Sequence, residues 1–298
     1  MEDKICAGIV LYNPELNLLK KNINSIYNQV NKIIVVDNDS SNKNDLKKIL
    51  SNLEKVELHF ENENRGIAFA LNEILKIAVE GNYKWCLTLD QDSICDKNLI
   101  KNFKPYLSKK RIALISPFIL NNGKISFEEY LKLKLPKFNE IINPIDCITS
   151  GTLNNVEIVN SIGGFNELLF IDFVDTELNC KVLENNYKIL RINTTFLIQQ
   201  MGKAKHIPLF RFLYKLTKKN IFKRMSVVAV YTNERLYYSS RNSRYLRRNY
   251  ENHGFRTSFI FMFMYYCFFS IFYPYSRNRI EMWKKILKGF LDFKKMSR

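Results

Sequence analysis

KWCLTLDQDSICD, residues 84–96, runs from an apolar segment straight into two carboxylates one residue apart. Cys86 to Leu89 has the length and composition of a buried strand, and Asp90-Gln91-Asp92 stands where that strand ends. A polar turn closing a strand is one reading of the pair. A metal site is the other. Mg2+ and Mn2+ favour oxygen ligands, and Mg2+ is often held by one or two carboxylates together with substrate phosphates. The segments on either side decide between the two.

Outward from that stretch, the first 115 residues alternate between two patterns. Ile5–Tyr12, Lys32–Asp37, Val56–Phe60, Trp85–Asp90 and Ile112–Pro117 are short apolar or β-branched runs and read as strands. Pro14–Gln29, Asp45–Leu53, Ile67–Val79 and Asn98–Leu107 read as helices, with Pro14 suited to a first turn and Gly81 to a helix end. Such alternation implies an α/β fold, a parallel sheet with helices on both faces, whose ligands bind beyond the carboxyl ends of the strands. The polar residues obey that rule. The first strand ends at Tyr12-Asn13 and the second in Asp37-Asn38-Asp39-Ser40. The third leads to Asn62-Glu63-Asn64-Arg65-Gly66, and the fourth ends at Asp90-Gln91-Asp92. Each alone is good turn chemistry; four on one rim favour a site.

Beyond residue 140 the alternation loosens. Cys147–Val156 reads as a strand with Ser150-Gly151 inside it, Glu157–Ser161 as a short helix, and Gly163-Gly164-Phe165 as a sharp turn or a close backbone approach. Phe170 to Leu178 then carries Asp172, Asp175 and Glu177 into a helix reaching about Asn185. Asp172 and Asp175 share a face if the segment is helical. Acids favoured by the dipole of a helix N-terminus are the equal alternative.

The 298 residues carry 46 Lys and Arg against 29 Asp and Glu, a net charge of +17 that suggests a nucleic-acid binder. The distribution argues against it. Residues 1–200 hold 24 basic and 25 acidic side chains, whereas residues 201–298 hold 22 and 4. The near-neutral part lines its rim with acids, which repel phosphate unless a metal intervenes. The excess belongs to an appended surface-binding segment. The six cysteines, Cys6, Cys86, Cys95, Cys147, Cys180 and Cys267, include no C-x-x-C pair and no zinc spacing, and most sit in apolar runs. They read as reduced core residues of a cytosolic protein. Met1-Glu2-Asp3-Lys4 does not look like the start of a signal peptide.

Taken in order, these motifs resemble the family-2 glycosyltransferases of the GT-A fold, and within them the bacterial rhamnosyltransferase-like branch. VLYNP (Val10–Pro14) looks like the opening strand, VVDNDS (Val35–Ser40) like the base-binding strand end, and NRGIAFALN (Asn64–Asn72) like the next nucleotide-side motif. LTLDQDS (Leu87–Ser93) looks like the D-x-D metal motif of that branch. SGTL (Ser150–Leu153), GGFNELLFIDFVDTEL (Gly163–Leu178) and KGFLDF (Lys288–Phe293) resemble its acceptor-side and C-terminal signatures. The resemblance implies a GT-A domain over residues 1–205, with a nucleotide half to about 115 and an acceptor half from 116, followed by a basic helical region over 206–298. It implies a nucleotide pocket of Tyr12, Asn13, Asp37, Arg65, Gly66, Asn72 and Asp90, with Asp37 on the pyrimidine and Asp90 near the ribose. Asp92, with Asp90, would hold Mg2+ or Mn2+. Asp175 would be the catalytic base, and Gly151, Asp172 and Glu177 would lie on the acceptor side. The implied reaction is metal-dependent inverting transfer of a sugar, L-rhamnose from dTDP-rhamnose or alternatively a hexose from a UDP-sugar, to a lipid-linked or surface glycan. The sequence departs from the family at one place. A His often follows the last core strand there, before a Gly. Here Gln199 stands in that position in Phe196-Leu197-Ile198-Gln199-Gln200-Met201-Gly202, and His206 is the other candidate ligand, its alternative being a solvated His in a basic loop.

The last third interleaves Lys and Arg with aromatics at helical spacing, and Thr257–Tyr275 is 19 residues without a formal charge. As a helix it would span about 28 Å, close to a bilayer core. Pro274 and several tyrosines weigh against a span, and three readings stay open: in-plane attachment to an anionic leaflet, a core or homodimer-forming helix, and a single span. The first places the protein in the cytoplasm, peripheral on the inner face of the cell membrane. A catalytically inactive membrane scaffold and a nucleic-acid-binding protein are the readings from outside enzymology.

Overall fold

The computed structural model describes residues 3–121, 125–200, 204–253, 259–272 and 277–296. The chain divides into two compact units, Met1–Gln200 and Met201–Arg298.

In the first unit the expected alternation forms β1 (Ile5–Leu11), α1 (Leu16–Ile26), β2 (Lys32–Asp37), α2 (Lys43–Leu50), β3 (Val56–Phe60), α3 (Ile67–Glu80) and β4 (Trp85–Asp90). There follow β5 (Ile94–Cys95), α4 (Leu99–Phe103), β6 (Ile112–Asn121), α5 (Phe127–Lys132), β7 (Phe138–Glu140), β8 (Thr152–Asn155), α6 (Val156–Ser161), α7 (Val174–Glu184) and β9 (Lys188–Gln199). The strands are ordered β3-β2-β1-β4-β8-β6-β9-β5, with β7 also on β9. β1 pairs in parallel with β2 and β4, as do β2 with β3 and β6 with β9. β8, β5 and β7 pair antiparallel through short ladders, so the central sheet is mostly parallel.

Period-two patterning explains the layering. Ile5, Ala7, Ile9 and Leu11 of β1 point into one core with Leu19, Ile23 and Ile26 of α1, Leu46 and Leu50 of α2, and Phe103 of α4. Gly8 faces the other way, where a Cβ would lie 2.2 Å from the Cγ2 atom of Ile74, so α3 packs on the opposite face of the sheet. With both faces covered, β1 is apolar throughout and β2 and β4 are apolar up to their ends save for Lys32 and Thr88, as the buried middle of a parallel sheet requires, whereas β3 at the sheet edge carries Glu57 and His59. The carboxyl ends of β1, β2, β3 and β4 therefore share one edge of the unit.

The second unit pairs β10 (Ala204–His206) antiparallel with β11 (Val227–Ala229), with α8 (Pro208–Thr217) and α9 (Asn220–Met225) between them. α10 (Asn233–Asn249), α11 (Phe259–Phe272) and α12 (Arg279–Asp292) complete it. Its core joins Ile207, Leu236, Tyr266, Phe269, Ile286 and Phe290. α10 and α12 meet closely: Gly289 leaves a Cβ position only 2.1 Å from the Ser240 hydroxyl, which donates to the Ile286 carbonyl at 3.0 Å. Thr257, Ser258, Tyr273, Pro274 and Tyr275 lie outside the described residues. Of the uncharged stretch that remains, Tyr266 and Phe269 are core residues of this unit. No described helix is long and apolar enough to cross a membrane.

Candidate active site

Each strand end on the rim is tied to the next by side chains. The backbone N–H of Asn13 donates to the Ser40 hydroxyl at 2.7 Å, and its side-chain carbonyl accepts from Ser41 N–H and Oγ at 2.9 and 2.8 Å, joining the ends of β1 and β2. Asn13 and Asp39 take left-handed backbone angles, φ 47° and 66°, which Asn and Asp tolerate better than most residues. Gln91 joins β4 to β1: Tyr12 N–H donates to Gln91 Oε1 at 2.9 Å, and Gln91 Nε2 donates back to the Tyr12 carbonyl at 3.4 Å. Tyr12 itself presents its ring to solvent, 51 % exposed.

Asp37 is wholly buried at the end of β2. Its Oδ2 accepts from Ser40 N–H at 2.9 Å, whereas Oδ1 has no hydrogen-bond partner among the described residues. A buried, unsatisfied carboxylate oxygen costs stability. It is a ready acceptor for an N–H donor such as the ring imide of a pyrimidine. Asn38 beside it donates to Asn64 Oδ1 and the Gly66 carbonyl at 2.9 and 3.1 Å and accepts from Arg65 N–H at 3.1 Å. The Arg65 guanidinium stacks on the Phe69 ring at 3.6 Å and lies 3.9 Å from the Glu167 carboxylate.

The same segment is locked to the chain that carries Asp175. Gly66 has φ 91°, and a Cβ there would sit 2.6 Å from the Phe170 carbonyl oxygen, so only glycine fits this approach. Ile67 N–H donates to that same carbonyl at 2.7 Å. Asn72 holds Phe165 by both backbone groups, accepting from its N–H at 2.8 Å and donating to its carbonyl at 2.9 Å, and also donates to Glu167 Oε1 at 2.9 Å. The Asn72 amide is thus engaged within the protein.

Phe170, Asp172 and Phe173 all have positive φ, 52°, 64° and 66°. Such angles on bulky residues store strain and concentrate at functional sites. They also place Asp172 before α7 rather than on it, so the one-turn relation between Asp172 and Asp175 does not arise. The charge of Asp172 acts on the Asp175 carboxyl. Asp175 Oδ1 accepts from Thr176 N–H and Oγ1 at 2.7 and 3.3 Å. Although Asp175 keeps some solvent exposure, dense packing round it pushes its carboxyl above the usual range, against those two hydrogen bonds and with a smaller push from Asp172. It lines a small cavity with Cys147, Thr149, Thr152, Phe165 and Asn179. Glu177, in the same first turn of α7, is buried, 3.3 Å from Lys181 Nζ and accepting from Asn166.

The 149–152 segment bridges this cavity and the end of β4. Thr149 and Thr152 line the cavity, while the Ser150 hydroxyl accepts from Asp90 N–H at 2.9 Å and meets Ser93 Oγ at 2.8 Å. Gly151 N–H donates to the Thr88 carbonyl at 2.8 Å. From below, the buried Asn22 of α1 donates to the carbonyls of Asp90 and Ser93 at 2.8 and 2.6 Å.

Asp92 is half-buried, and burial raises its carboxyl above the usual range. Gln199, at the end of β9, donates to Asp90 Oδ2 at 3.4 Å. The Asp90 carboxylate beside the Gln199 amide and the Asp92 carboxylate two residues along the chain are side chains that offer oxygen, the donor type that fits a hard divalent ion. A cation would also relieve the desolvated Asp92 carboxylate. Among the described residues no group of three or more His, Cys, Asp or Glu surrounds one point, so carboxylates alone do not close a metal cage. His206 lies in the second unit, on β10 opposite Val227.

Gln91, Asn38 and Ser150 stand in the sequence within the rim and strand stretches but carry no role of their own there, and Asn22 lies outside those stretches. Asn22 had a visible signal, an amide at a core position of α1 between Leu19 and Ile26. Gln91 is the middle residue of the D-x-D stretch, where attention falls on the acids.

A family model described as Glycosyl transferase family 2 matches residues 6–162. The dTDP-rhamnosyl transferase RfbF of Shigella flexneri is 32% identical over 199 residues, which cover 64% of this chain and 66% of that protein. Among solved structures, GalNAc-T7 with UDP, GalNAc and Mn2+ aligns with 66% of this chain and 44% of its own at a TM-score of 0.55 and 15% identity. S. aureus TarS 1-349 aligns with 97% and 80% at 0.55 and 14%. At such identities the structural likeness carries the fold alone.

Proposed function

The chain belongs to glycosyl transferase family 2, and on that premise we propose that it transfers a sugar from a nucleotide diphosphate donor to an acceptor hydroxyl with inversion. The donor we propose is dTDP-L-rhamnose, and the acceptor a lipid-linked or surface glycan. The observation that carries this reading is the continuous hydrogen-bonded rim, in which the ends of β1, β2 and β4 and the Asn64–Gly66 turn are joined to the segment bearing Asp175. The similarity to a protein named as a dTDP-rhamnosyl transferase supports the donor.

In this reading Tyr12, Asn13, Asp37, Arg65 and Gly66 bind the nucleotide, with the unsatisfied Asp37 Oδ1 accepting from the base. Asp92, Asp90 and Gln199 would hold Mg2+ or Mn2+, which when bound offsets the charge of the diphosphate. Thr176 occupies Asp175 Oδ1, which leaves Oδ2 to take the acceptor proton. As the O–H bond breaks, the acceptor oxygen bonds to the anomeric carbon from the face opposite the diphosphate. The glycosidic C–O bond breaks, and its electron pair leaves on the diphosphate oxygen. A positioned base of this kind is worth about 10²–10⁴ in rate. A raised pKa brings Asp175 closer to the operating pH, where a general base is most effective. Asp172 and Gly151 we assign to the acceptor side, with the buried Glu177 supporting that wall through Lys181. For its place in the cell we propose the cytoplasmic face of an anionic membrane, held by the basic second unit.

A panel of dTDP- and UDP-sugars, scored by release of nucleotide with Mg2+, with Mn2+ and with chelator, tests the reading. Turnover of dTDP-rhamnose that chelator abolishes is the expected result. Turnover of UDP-hexoses alone would overturn the donor, and no turnover of any donor would overturn the activity.

A further inference from the structure

From Asn185 to Asn233 the chain contains no Asp or Glu, while Lys and Arg recur throughout. α8 lies within this acid-free stretch. Its sequence PLFRFLYKLT separates three faces at helical spacing. Phe210 packs against the core of the second unit, on the rings of Phe268 and Phe272 at 5.7 and 5.8 Å. Leu209, Phe212 and Leu216, at i, i+3 and i+7, form a stripe that is 59 %, 63 % and 71 % exposed. Lys215 is exposed beside Phe212 on one side of that stripe, Arg211 is exposed further round on the same side, and Lys218 follows at the helix end. A ten-residue helix is about 15 Å long, fastened at Phe210 and apolar where it should be wet.

We infer that α8 is the element that enters the lipid, lying in the plane of an anionic bilayer with Leu209, Phe212 and Leu216 below the headgroups and Arg211, Lys215 and Lys218 at their level. The inference rests on the membrane attachment proposed above and names the part that performs it. Interfacial helices combine these two features, an apolar stripe and a basic border, and their binding grows with buried apolar area and with attraction to anionic lipid. The charge pattern selects this occupant. A nucleic acid would satisfy the cations but leave the stripe in water. A second copy on a two-fold axis would set each basic border against its own like.

Co-sedimentation of the full chain with vesicles of phosphatidylglycerol and phosphatidylcholine in equal parts, against vesicles of phosphatidylcholine alone, tests it. The wild-type protein should partition onto the anionic vesicles and leave them as salt is raised. Phe212→Ser with Leu216→Ser should lower the partition by roughly tenfold or more, since binding scales with buried apolar area. Arg211→Glu with Lys215→Glu should lower it too, with nucleotide release from the donor unchanged in both variants. Fluorescence of a bromolipid-quenched probe at position 212 reads insertion directly. If the wild type binds and neither variant weakens it, the assignment to α8 is wrong while attachment by the second unit stands. If the wild type ignores anionic vesicles, both fail. If the variants keep vesicle binding but dissociate a dimer, or lose only duplex DNA, the face belongs to another partner and the inference is overturned.

Discussion

Asp175 is where the chemistry proposed for this chain concentrates. Asp175→Asn keeps the size and the Thr176 hydrogen bonds but takes no proton at neutral pH. Transfer should fall by about 10²-fold or more while calorimetry shows unchanged affinity for dTDP. Asp172→Asn, outside the helix, should keep most of its activity; the reverse pattern would move the base to Asp172. The base works as a carboxylate, so activity is lost as pH falls through its folded pKa. Burial has raised that pKa, so the acid limb of kcat/KM should lie above the ordinary Asp value of about 3.9. The same shift has a stability side. The folded state holds the proton more tightly than the unfolded one, so this group's favourable contribution is present at low pH and lost as pH rises through the folded pKa. At neutral pH Asp175→Asn should therefore be no less stable than wild type, which urea unfolding measures. Asp92→Ala should remove metal-stimulated turnover with the fold intact; a variant retaining more than roughly a tenth of the activity would free Asp92 from the metal role.

The contact between α3 and the segment before α7 is the element that holds the two sides of the rim in register. Asn72 reaches across 93 positions of sequence to both backbone groups of Phe165, and Gly66 leaves room for Phe170. Of the three residues with positive φ in this segment, Phe170 meets the second clamp, and Asp172 and Phe173 lie between it and α7. Asn72→Ala leaves the Phe165 groups without their partner and should cost about 1–3 kcal/mol in urea unfolding. Its kinetic signature separates the clamp from direct contact with the nucleotide. A fall in kcat at constant dTDP affinity follows from a displaced Asp175, whereas weakened dTDP binding with kcat preserved would put Asn72 in the nucleotide pocket. α11 shows the converse dependence. Its sequence is apolar nearly all round, and packing assigns Tyr266 and Phe269 to the core of the second unit.

At the scale of the whole chain the two units differ in character, the first near neutral with a mostly parallel sheet, the second basic and helical. All six cysteines are free, five buried and Cys267 half-buried. Burial pushes the Cys95 thiol up to about 12 and the Cys147 thiol to about 11. Thiolate is the reactive form. An aromatic disulfide reagent should therefore label at most Cys267 quickly in the native protein and the other five at the rate of unfolding, and reductant should leave Tm unchanged. Rapid labelling of two or more would contradict the packing of this core.

The sequence by itself determined the strands β2, β3 and β4 to the residue, the helices between them, the acids on their carboxyl ends and the concentration of charge after residue 200. Those features are local: period-two and period-3.6 patterning and turn chemistry act over a few residues and are written where they act. It did not determine that β8 would enter the sheet between β4 and β6, or that β5 and β7 would both pair with β9, because short strands match many partners equally well. Only tertiary structure decided that Gln91 faces Tyr12, that Asn22 supports the carbonyls of Asp90 and Ser93, and that Asp172 stands off the helix that begins beside it. Each of these depends on a partner tens of residues away or on a backbone angle imposed by the Phe170 contact. A side chain's own identity carries no record of such a partner until packing brings it within hydrogen-bond reach.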